Sequence, residues 1–94
     1  MHTFIMFGKY STASLQSMSV QRTQRARELV KQLGGEIDQI YATLGDRDLL
    51  MIVRLPDFDA AIKASVALTK LTGIALSTAP AIPVEQFDKL MSQL

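Results

Sequence analysis

The chain has 94 residues, of which 48% are hydrophobic and 20% charged, and it has a formal net charge of +1 and no cysteine. This length predicts a single domain, residues 1–94, whose high surface-to-volume ratio leaves much apolar surface in water, a first indication of oligomerisation. The near-neutral charge argues against a nucleic-acid binder, and the absence of cysteine excludes disulfides, thiolate catalysis and cysteine-ligated metals, as is typical of a reducing cytoplasm.

The N-terminal segment predicts the first strand. HTFIMFGKY, residues 2–10, is apolar on both alternations, which indicates a strand buried on both faces. The segment has no cationic leader, and its apolar run is too short for a secretion signal or a membrane span. A soluble cytoplasmic protein is therefore expected.

Residues 11–35 predict a helix with an irregular entry. STASLQSMS, residues 11–19, is rich in serine and threonine and indicates an irregular entry or a frayed first turn. SVQRTQRARELVKQLGG has apolar residues at helical spacing and ends on Gly34 and Gly35, as a helix C-terminus requires.

A mixed strand, a turn and a second doubly apolar strand follow. EIDQIYATL, residues 36–44, is more mixed, because it carries Glu36, Asp38 and Gln39, and this suits a sheet edge. Gly45 and Asp46 predict a tight hairpin, because such turns need a residue tolerant of positive φ and a short side chain that bonds its own backbone. DLLMIVRL, residues 48–55, is again apolar on both alternations.

The C-terminal part predicts a helix, an edge strand and a short final helix. PDFDAAIKASVALTKLTG, residues 56–73, offers Asp57 as the N-cap and Gly73 as the terminator of a helix. GIALSTAPA contains Pro80, which suits an edge strand. Pro83 opens the final helix, whose apolar residues lie on one side: Val84, Phe87, Leu90 and Met91.

The order of these elements predicts an α+β fold. It is a ferredoxin-like βαββαβ sandwich with a four-stranded antiparallel sheet and a short C-terminal helix, and its first and third strands are central. Two helices cover only one face of such a sheet, so the other apolar face needs a partner. A second sheet from an identical subunit is the simplest partner, and stacked sheets of this type form a dimeric α+β barrel.

Several segments together resemble the GYD family, small bacterial and archaeal proteins of this fold. They are the first strand ending in Tyr10, the helix end LGGEI, the hairpin YATLGDRDLLMIVRLPD and the closing IPVEQFDKLM. The resemblance covers nearly the whole chain and implies the fold and oligomerisation rather than a specific activity. Gly45 and Asp48 match the glycine, tyrosine, aspartate signature of the family. Arg47 stands where the family has the tyrosine, so the role of that phenol does not carry over, and Ser14 stands where a glycine is expected.

The charged residues around the third strand have structural interpretations. Asp48 is expected to accept backbone N–H bonds in the preceding turn, and Asp57 to cap its helix. Arg54 lies near the end of a strand that is apolar on both faces. It would emerge at the rim, pair with a carboxylate of a partner subunit, or hold an anion, and we favour the interfacial ion pair.

The candidate residues of a ligand pocket are Tyr10, Tyr41, Asp48 and Arg54. Tyr10 and Tyr41 fall in or beside strands from which a phenol would reach an internal cavity. Gly8 precedes Tyr10 on the same strand face, and its missing side chain would leave room for a ligand. A buried tyrosine with a satisfied hydroxyl is the commoner interpretation.

No metal, cofactor or nucleic acid is predicted to bind. His2 is the only histidine, and no HxxxH or HxH spacing completes a metal site. The chain has no GxGxxG, P-loop or GxSxG motif. The first helix has a basic face without the exposed aromatic residues typical of nucleic-acid binders, so we favour a solvated face: Arg22, Arg25, Arg27 and Lys31.

Two classes of function remain for such a domain. The leading hypothesis is a cytoplasmic subunit without a cofactor that forms a homodimer or higher oligomer through its sheet and holds a small apolar ligand. The alternative is a cofactor-independent monooxygenase or isomerase of the dimeric α+β barrel type. Its polar groups near the pocket would be Tyr10, Tyr41, Asp48 and His2. RNA binding by the basic helix is a weaker third option.

Overall fold

Four antiparallel strands form the sheet of the computed structural model, which describes residues 1–94, and across the sheet the second strand in the chain is followed by the third, the first and the fourth. The elements in chain order are β1 (His2–Lys9), α1 (Thr12–Gln16), α2 (Val20–Gln32), β2 (Glu36–Ala42), β3 (Leu49–Leu55), α3 (Phe58–Thr72), β4 (Ala75–Ala81) and α4 (Val84–Met91). Strands β1 and β3 are central, and the predicted ferredoxin-like α+β fold is confirmed.

The two faces of the sheet differ in what covers them. Helices α2 and α3 pack on one face, where Met6 is completely buried. On the other face Ile5 lies opposite Ile52 and Phe7 lies opposite Leu50, and all four are partly exposed. The smallest dimension of the chain is 18 Å, which is the thickness of one sheet and one helix layer. The second apolar face therefore has no covering layer within the chain.

Local hydrogen bonds and backbone geometry determine the ends of α2. The Ser19 hydroxyl accepts a hydrogen bond from the backbone N–H of Arg22, which starts the helix. Beyond its end Gly34 has a φ of +86°, a conformation that favours glycine. Gly35 has no room for a side chain, because a Cβ there would collide with the carbonyl oxygen of Arg54.

The predicted ends of α3 are confirmed. Asp57 Oδ1 accepts a hydrogen bond of 2.8 Å from the backbone N–H of Ala60. Gly73 terminates the helix with a φ of +71°, and its N–H donates to the carbonyl oxygen of Thr69 at 2.8 Å.

The segment before α2 is more regular than expected. Residues 11–19, predicted as an irregular entry, contain the short helix α1. Ser11 and Ser14 cap each other at its first turn, since the hydroxyl of each accepts a hydrogen bond from the backbone N–H of the other. Ser14 is buried and stands where the family was expected to have glycine.

The connection between β2 and β3 is a loop of six residues, 43–48, and the prediction of a tight hairpin was wrong. Thr43 closes the loop, because its N–H donates to the carbonyl oxygen of Asp48 at 2.9 Å and its hydroxyl to that of Arg47 at 2.7 Å. Gly45 has a φ of +119°, so the expected need for a positive φ at this glycine holds in the longer loop.

Helix α4 follows Pro83, as predicted, and projects from the rest of the chain. No other element packs closely against it. Its apolar side is open to solvent, with exposures between 43% and 68% for Val84, Phe87, Leu90 and Met91. The projecting helix accounts for a radius of gyration of 14.3 Å, whereas a compact domain of this length has about 12 Å.

Candidate ligand site

A cavity of about 60 Å³ lies between α2, the end of α3 and the helix-covered face of the sheet. Apolar walls with a few polar groups are typical of small-molecule sites. Most of the side chains that line the cavity are apolar: Ala26, Ile40, Leu49, Met51, Leu68, Ile74 and Leu76. The polar groups at the cavity belong to Tyr10, Arg22, Thr23 and Thr72.

The cavity shares its polar end with a wider surface depression of about 370 Å³. Tyr10, Arg22 and Thr23 line both spaces, so they form the passage from the depression to the apolar interior. Arg22 is the only charged residue that lines either space. We call Tyr10, Arg22 and Thr23 the mouth of the cavity.

Arg22 is held in place at the mouth by one of its terminal nitrogens. Its Nη1 donates to the carbonyl oxygen of Ser14 at 2.6 Å, to the hydroxyl of Ser17 at 3.0 Å and to the carbonyl oxygen of Thr72 at 3.5 Å. These bonds join α1 and the end of α3 to α2. The Nε and Nη2 atoms of Arg22 donate to no group of the chain, so they are available to a ligand.

The position of Tyr10 depends on Asp48. The backbone N–H of Tyr10 donates to Asp48 Oδ2 at 2.9 Å, and the backbone N–H of Asp48 donates to the carbonyl oxygen of Gly8 at 2.9 Å. These two bonds tie the end of β1 to the β2–β3 loop. Asp48 therefore orients the mouth of the cavity without lining it.

The four pocket candidates from the sequence separate into two pairs. Tyr10 lines the cavity, and Asp48 holds its backbone. Tyr41 and Arg54 lie on the opposite, open face of the sheet, where Tyr41 is 49% exposed and donates its hydroxyl proton to Gln39. The structure does not bring the two pairs together, because the sheet lies between them.

Gly8 does not make room for a ligand, and that interpretation was wrong. A Cβ at Gly8 would lie 2.9 Å from Cγ2 of Ile74 and 3.1 Å from Cβ of Leu49. The space beside the glycine is thus filled by side chains of the core. The cavity lies deeper, beneath α2, where Ala26 presents a small side chain.

Arg54 makes an ion pair on the open face with Asp38 of the same chain. Its Nε lies 2.8 Å from Asp38 Oδ2, and its Nη2 donates to Oδ1 at 2.9 Å, a bidentate arrangement. The hydrogen bonds from Arg54 lower the pKa of Asp38, and Asp38 in turn raises the pKa of Arg54. Asp38 lies at a β-bulge between Ile37 and Gln39, which strict alternation along β2 does not reveal.

Arg47, which stands where the family signature has tyrosine, also covers part of the open face. Its guanidinium carbon lies 5.4 Å from the centre of the Phe7 ring, within the range of a cation–π contact. This contact shields one of the apolar side chains that no element of the chain covers.

Arg22 is the functional candidate that sequence reasoning did not single out. It was grouped with the basic face of α2, and only the packing of α1 and α3 around it distinguishes it from Arg25, which is exposed. The signal in the sequence was the capping position of Ser19, which places Arg22 in the first turn of α2. Nothing in the spacing indicated that this turn faces a cavity.

The structure has no cluster of potential metal ligands and no helix that could span a membrane. No three side chains of histidine, cysteine, aspartate or glutamate come together as metal ligands, and His2 is exposed at the start of β1. None of the helices combines the length and the apolar character needed to cross a bilayer.

The strand order and the helices on one face of the sheet define a ferredoxin-like α+β domain, and this domain contains the cavity beneath α2. The chain belongs to the GYD domain family, whose profile matches residues 4–91, and the resemblance inferred from the sequence is confirmed. No curated protein matches the chain.

Two solved structures have a similar fold. An AsnC family transcriptional regulator from Agrobacterium tumefaciens superposes with a TM-score of 0.57 at 24% identity, over 86% of this chain and 50% of that one. The present chain thus spans about half the length of that regulator. The protein TTHA0845 from Thermus thermophilus superposes with a TM-score of 0.58 at 21% identity, over 88% of this chain and 95% of that one. At these identities the similarity concerns the fold alone.

Proposed function

We propose that this protein is a homo-oligomeric GYD-domain subunit that assembles through the open face of its sheet and holds a small, mainly apolar ligand beneath α2. The observation that carries the assembly is the row of partly exposed apolar side chains on the two central strands, which no helix or strand of the chain covers and of which only Phe7 is in contact with Arg47: Ile5, Phe7, Leu50 and Ile52. A contiguous apolar patch of this kind is typical of an interaction surface.

The size of the open face supports a partner that covers more than the sheet. Four strands of seven or eight residues make a flat area of about 450 Å². A stable interface buries about 800 Å² on each partner. The flat area of the sheet is therefore small for a stable interface, although its side chains add accessible surface to it, and the apolar side of α4 is a second exposed apolar surface.

The charges on the open face are compatible with burial between two subunits. The side chains of Arg54 and Asp38 are 43% and 34% exposed, and they already form a bidentate pair. Burying a charge without its partner is costly, whereas a formed pair enters an interface with its hydrogen bonds intact. A sheet partner thus needs no charge of its own opposite Arg54.

The assembly is tested by native mass spectrometry of the wild-type protein and two lysine variants. Ile52→Lys places a charge at the centre of the open face, and Ile62→Lys places the same charge on α3, where Ile62 is 52% exposed. We expect a dimer or a multiple of it for the wild type and for Ile62→Lys, and a monomer for Ile52→Lys. A monomeric wild type at micromolar concentration would overturn the proposal.

The ligand part of the proposal has its own readout in the same spectra. Protein purified from its source without a tag should carry a discrete added mass that denaturation removes. The apolar walls of the cavity and the free groups at its mouth support this expectation. If the mass of every wild-type oligomer is a whole multiple of the mass of the chain, the protein does not retain a ligand through purification, and this part of the proposal fails.

A cofactor-independent monooxygenase or isomerase is the second candidate, and one observation favours it. The hydroxyl of Tyr10 has no hydrogen-bond partner in the chain, and Tyr10 lines the mouth together with Arg22, which makes its phenol the candidate group for proton transfer to a bound substrate. Of the other polar groups considered, Tyr41 and His2 lie away from the cavity. A Tyr10→Phe variant that turns over a bound compound at the wild-type rate would exclude a catalytic phenol.

A further inference from the structure

We propose that the cavity beneath α2 binds a small amphipathic anion, with a short apolar tail inside the cavity and a carboxylate-like head on Arg22 at the mouth. This inference rests on the proposed ligand-binding function and names the class of ligand. It does not depend on the proposed assembly through the sheet.

The interior of the cavity determines the tail. A cavity of about 150 Å³ accommodates a benzene molecule, so the 60 Å³ found here accommodates about two to four carbon atoms. The seven apolar side chains around it offer no hydrogen bond. The hydroxyl of Thr72, which also lines the cavity, already donates to the carbonyl oxygen of Leu68 and accepts from the N–H of Ile74, so the interior disfavours a polar tail. The wider depression outside has room for a larger head group.

The mouth of the cavity determines the charge of the head. Arg22 is the only ionised side chain among the residues that line the cavity and the depression. Its Nη1 is occupied, while Nε and Nη2 remain free on one edge of the planar guanidinium. That edge presents two parallel N–H groups, the arrangement that a carboxylate accepts in a bidentate manner.

The neighbouring groups reinforce this preference. The free hydroxyl of Tyr10 at the mouth is a further donor for a carboxylate oxygen. No carboxylate lines either space, and that of Asp48 is bonded to the backbone N–H of Tyr10. Residues 1–35 carry five cationic and one anionic side chain, so the surrounding charge also favours an anion. A cationic head would face Arg22 without compensation.

The experiment compares three probes of equal length by isothermal titration calorimetry on the wild-type protein. Butanoate, butan-1-ol and butan-1-amine share the apolar tail and differ in the charge of the head. We expect butanoate to bind at least tenfold more tightly than the alcohol, and the amine to bind most weakly. Equal affinities for butanoate and butan-1-ol, or no binding of butanoate at millimolar concentration, would overturn the proposal.

Three variants and a control assign the preference to the residues named. Arg22→Gln should abolish the tenfold advantage of butanoate over the alcohol, and Arg22→Lys, which keeps the charge but not the two parallel N–H groups, should keep only part of it. Ala26→Leu should weaken the binding of all three probes, because the larger side chain would fill the interior of the cavity. Arg25→Gln removes a charge from an exposed position one turn along the same helix and should change nothing. A preference for butanoate that survives in Arg22→Gln would contradict the assignment.

Two further measurements keep these outcomes distinct from other effects. Arg22 also joins α1 to α3, so the circular dichroism of each variant is compared with that of the wild type, and Arg22→Lys serves as the variant that retains the charge. The subunit number is measured on the same samples. An intact oligomer that has no preference for the anion would contradict the ligand proposal alone. A monomer that still prefers butanoate would contradict the assembly proposal alone.

Discussion

The neighbouring residues in the sequence predict the hydrogen-bond partner of one carboxylate, Asp57, but not that of another, Asp48. Asp48 was expected to bond within its own turn, but its side chain accepts the N–H of Tyr10 at the end of another strand. Asp57 caps its helix as expected, because an N-cap requires only the residues that follow it. The difference is one of distance along the chain: the partner of Asp57 is three residues away and that of Asp48 is thirty-eight.

The ion pair of Asp38 and Arg54 leads to a prediction about acid stability. The pKa of Asp38 is lowered in the folded state from its ordinary value of 3.8, chiefly by the hydrogen bonds from Arg54. A carboxyl whose folded-state pKa is depressed contributes stability above its unfolded value, and that contribution is lost as the pH falls through the folded-state value. We therefore expect the stability of the wild type to decline below about pH 4 with a component that Asp38→Asn removes.

Urea unfolding between pH 2.5 and 6 measures this component. Asp88→Asn is the matched control, because Asp88 is exposed on α4 and forms no ion pair. Identical pH profiles for the wild type and Asp38→Asn would show that the pair contributes nothing to stability.

At the level of elements, pattern and capping predicted most of the architecture. The doubly apolar β1 and β3 are central, and the mixed β2 and β4 lie at the edges. Helices α2 and α3 end at the predicted glycines because these ends require backbone geometry that glycine adopts most easily. Helix α1 was missed because it has only five residues, and because the serines that cap it, Ser11 and Ser14, give the segment a composition typical of a loop.

The N-cap of α3 provides a prediction at this level. Asp57→Ala removes the acceptor of the Ala60 N–H bond, which should lower the free energy of unfolding by about 1 kcal/mol. Asp57→Asn keeps an acceptor at the same position and should cost much less. Chemical denaturation of the two variants measures the difference, and equal losses in both would contradict a capping role.

For the molecule as a whole, the shape and the open apolar surfaces support association. The longest dimension is 49 Å and the shortest 18 Å, so a large share of the residues lies at the surface. The open face of the sheet and the apolar side of α4 are separate parts of that surface, and neither is covered by another element.

If the proposed dimer is the folded unit, its stability depends on protein concentration. Tenfold dilution changes the free energy of a coupled dimer by about 1.4 kcal/mol, which lowers the melting temperature of a dimer of this size by about 3–5 °C. Ile52→Lys should lose this dependence, with a melting temperature that does not change with dilution where the monomer folds and with no cooperative transition where it does not. Calorimetric scans at 5, 50 and 500 µM measure both, and a wild-type melting temperature that is independent of concentration would argue against coupled folding and association.

The candidate site was less predictable than the fold. Tyr10 was named from its place at the end of β1, and it does line the cavity. Tyr41 and Arg54 were named with it but lie across the sheet, because their register on β2 and β3 points them to the other face. Arg22 was not named, since its role arises from contacts with α1 and the end of α3, which come close to it only when the chain folds.

Sequence patterns were sufficient to predict the order of the strands and of the helices other than α1, the positions of the central strands, the ends of α2 and α3 and the family, because these follow from periodicity, capping and local motifs. The folded chain was needed to show that Asp48 holds the backbone of Tyr10, that Arg54 pairs with Asp38, and that Arg22 lies at the mouth of a cavity. These features join residues distant in the chain. Their geometry depends on register, a β-bulge and helix packing, which a shift of one residue along a strand would rearrange.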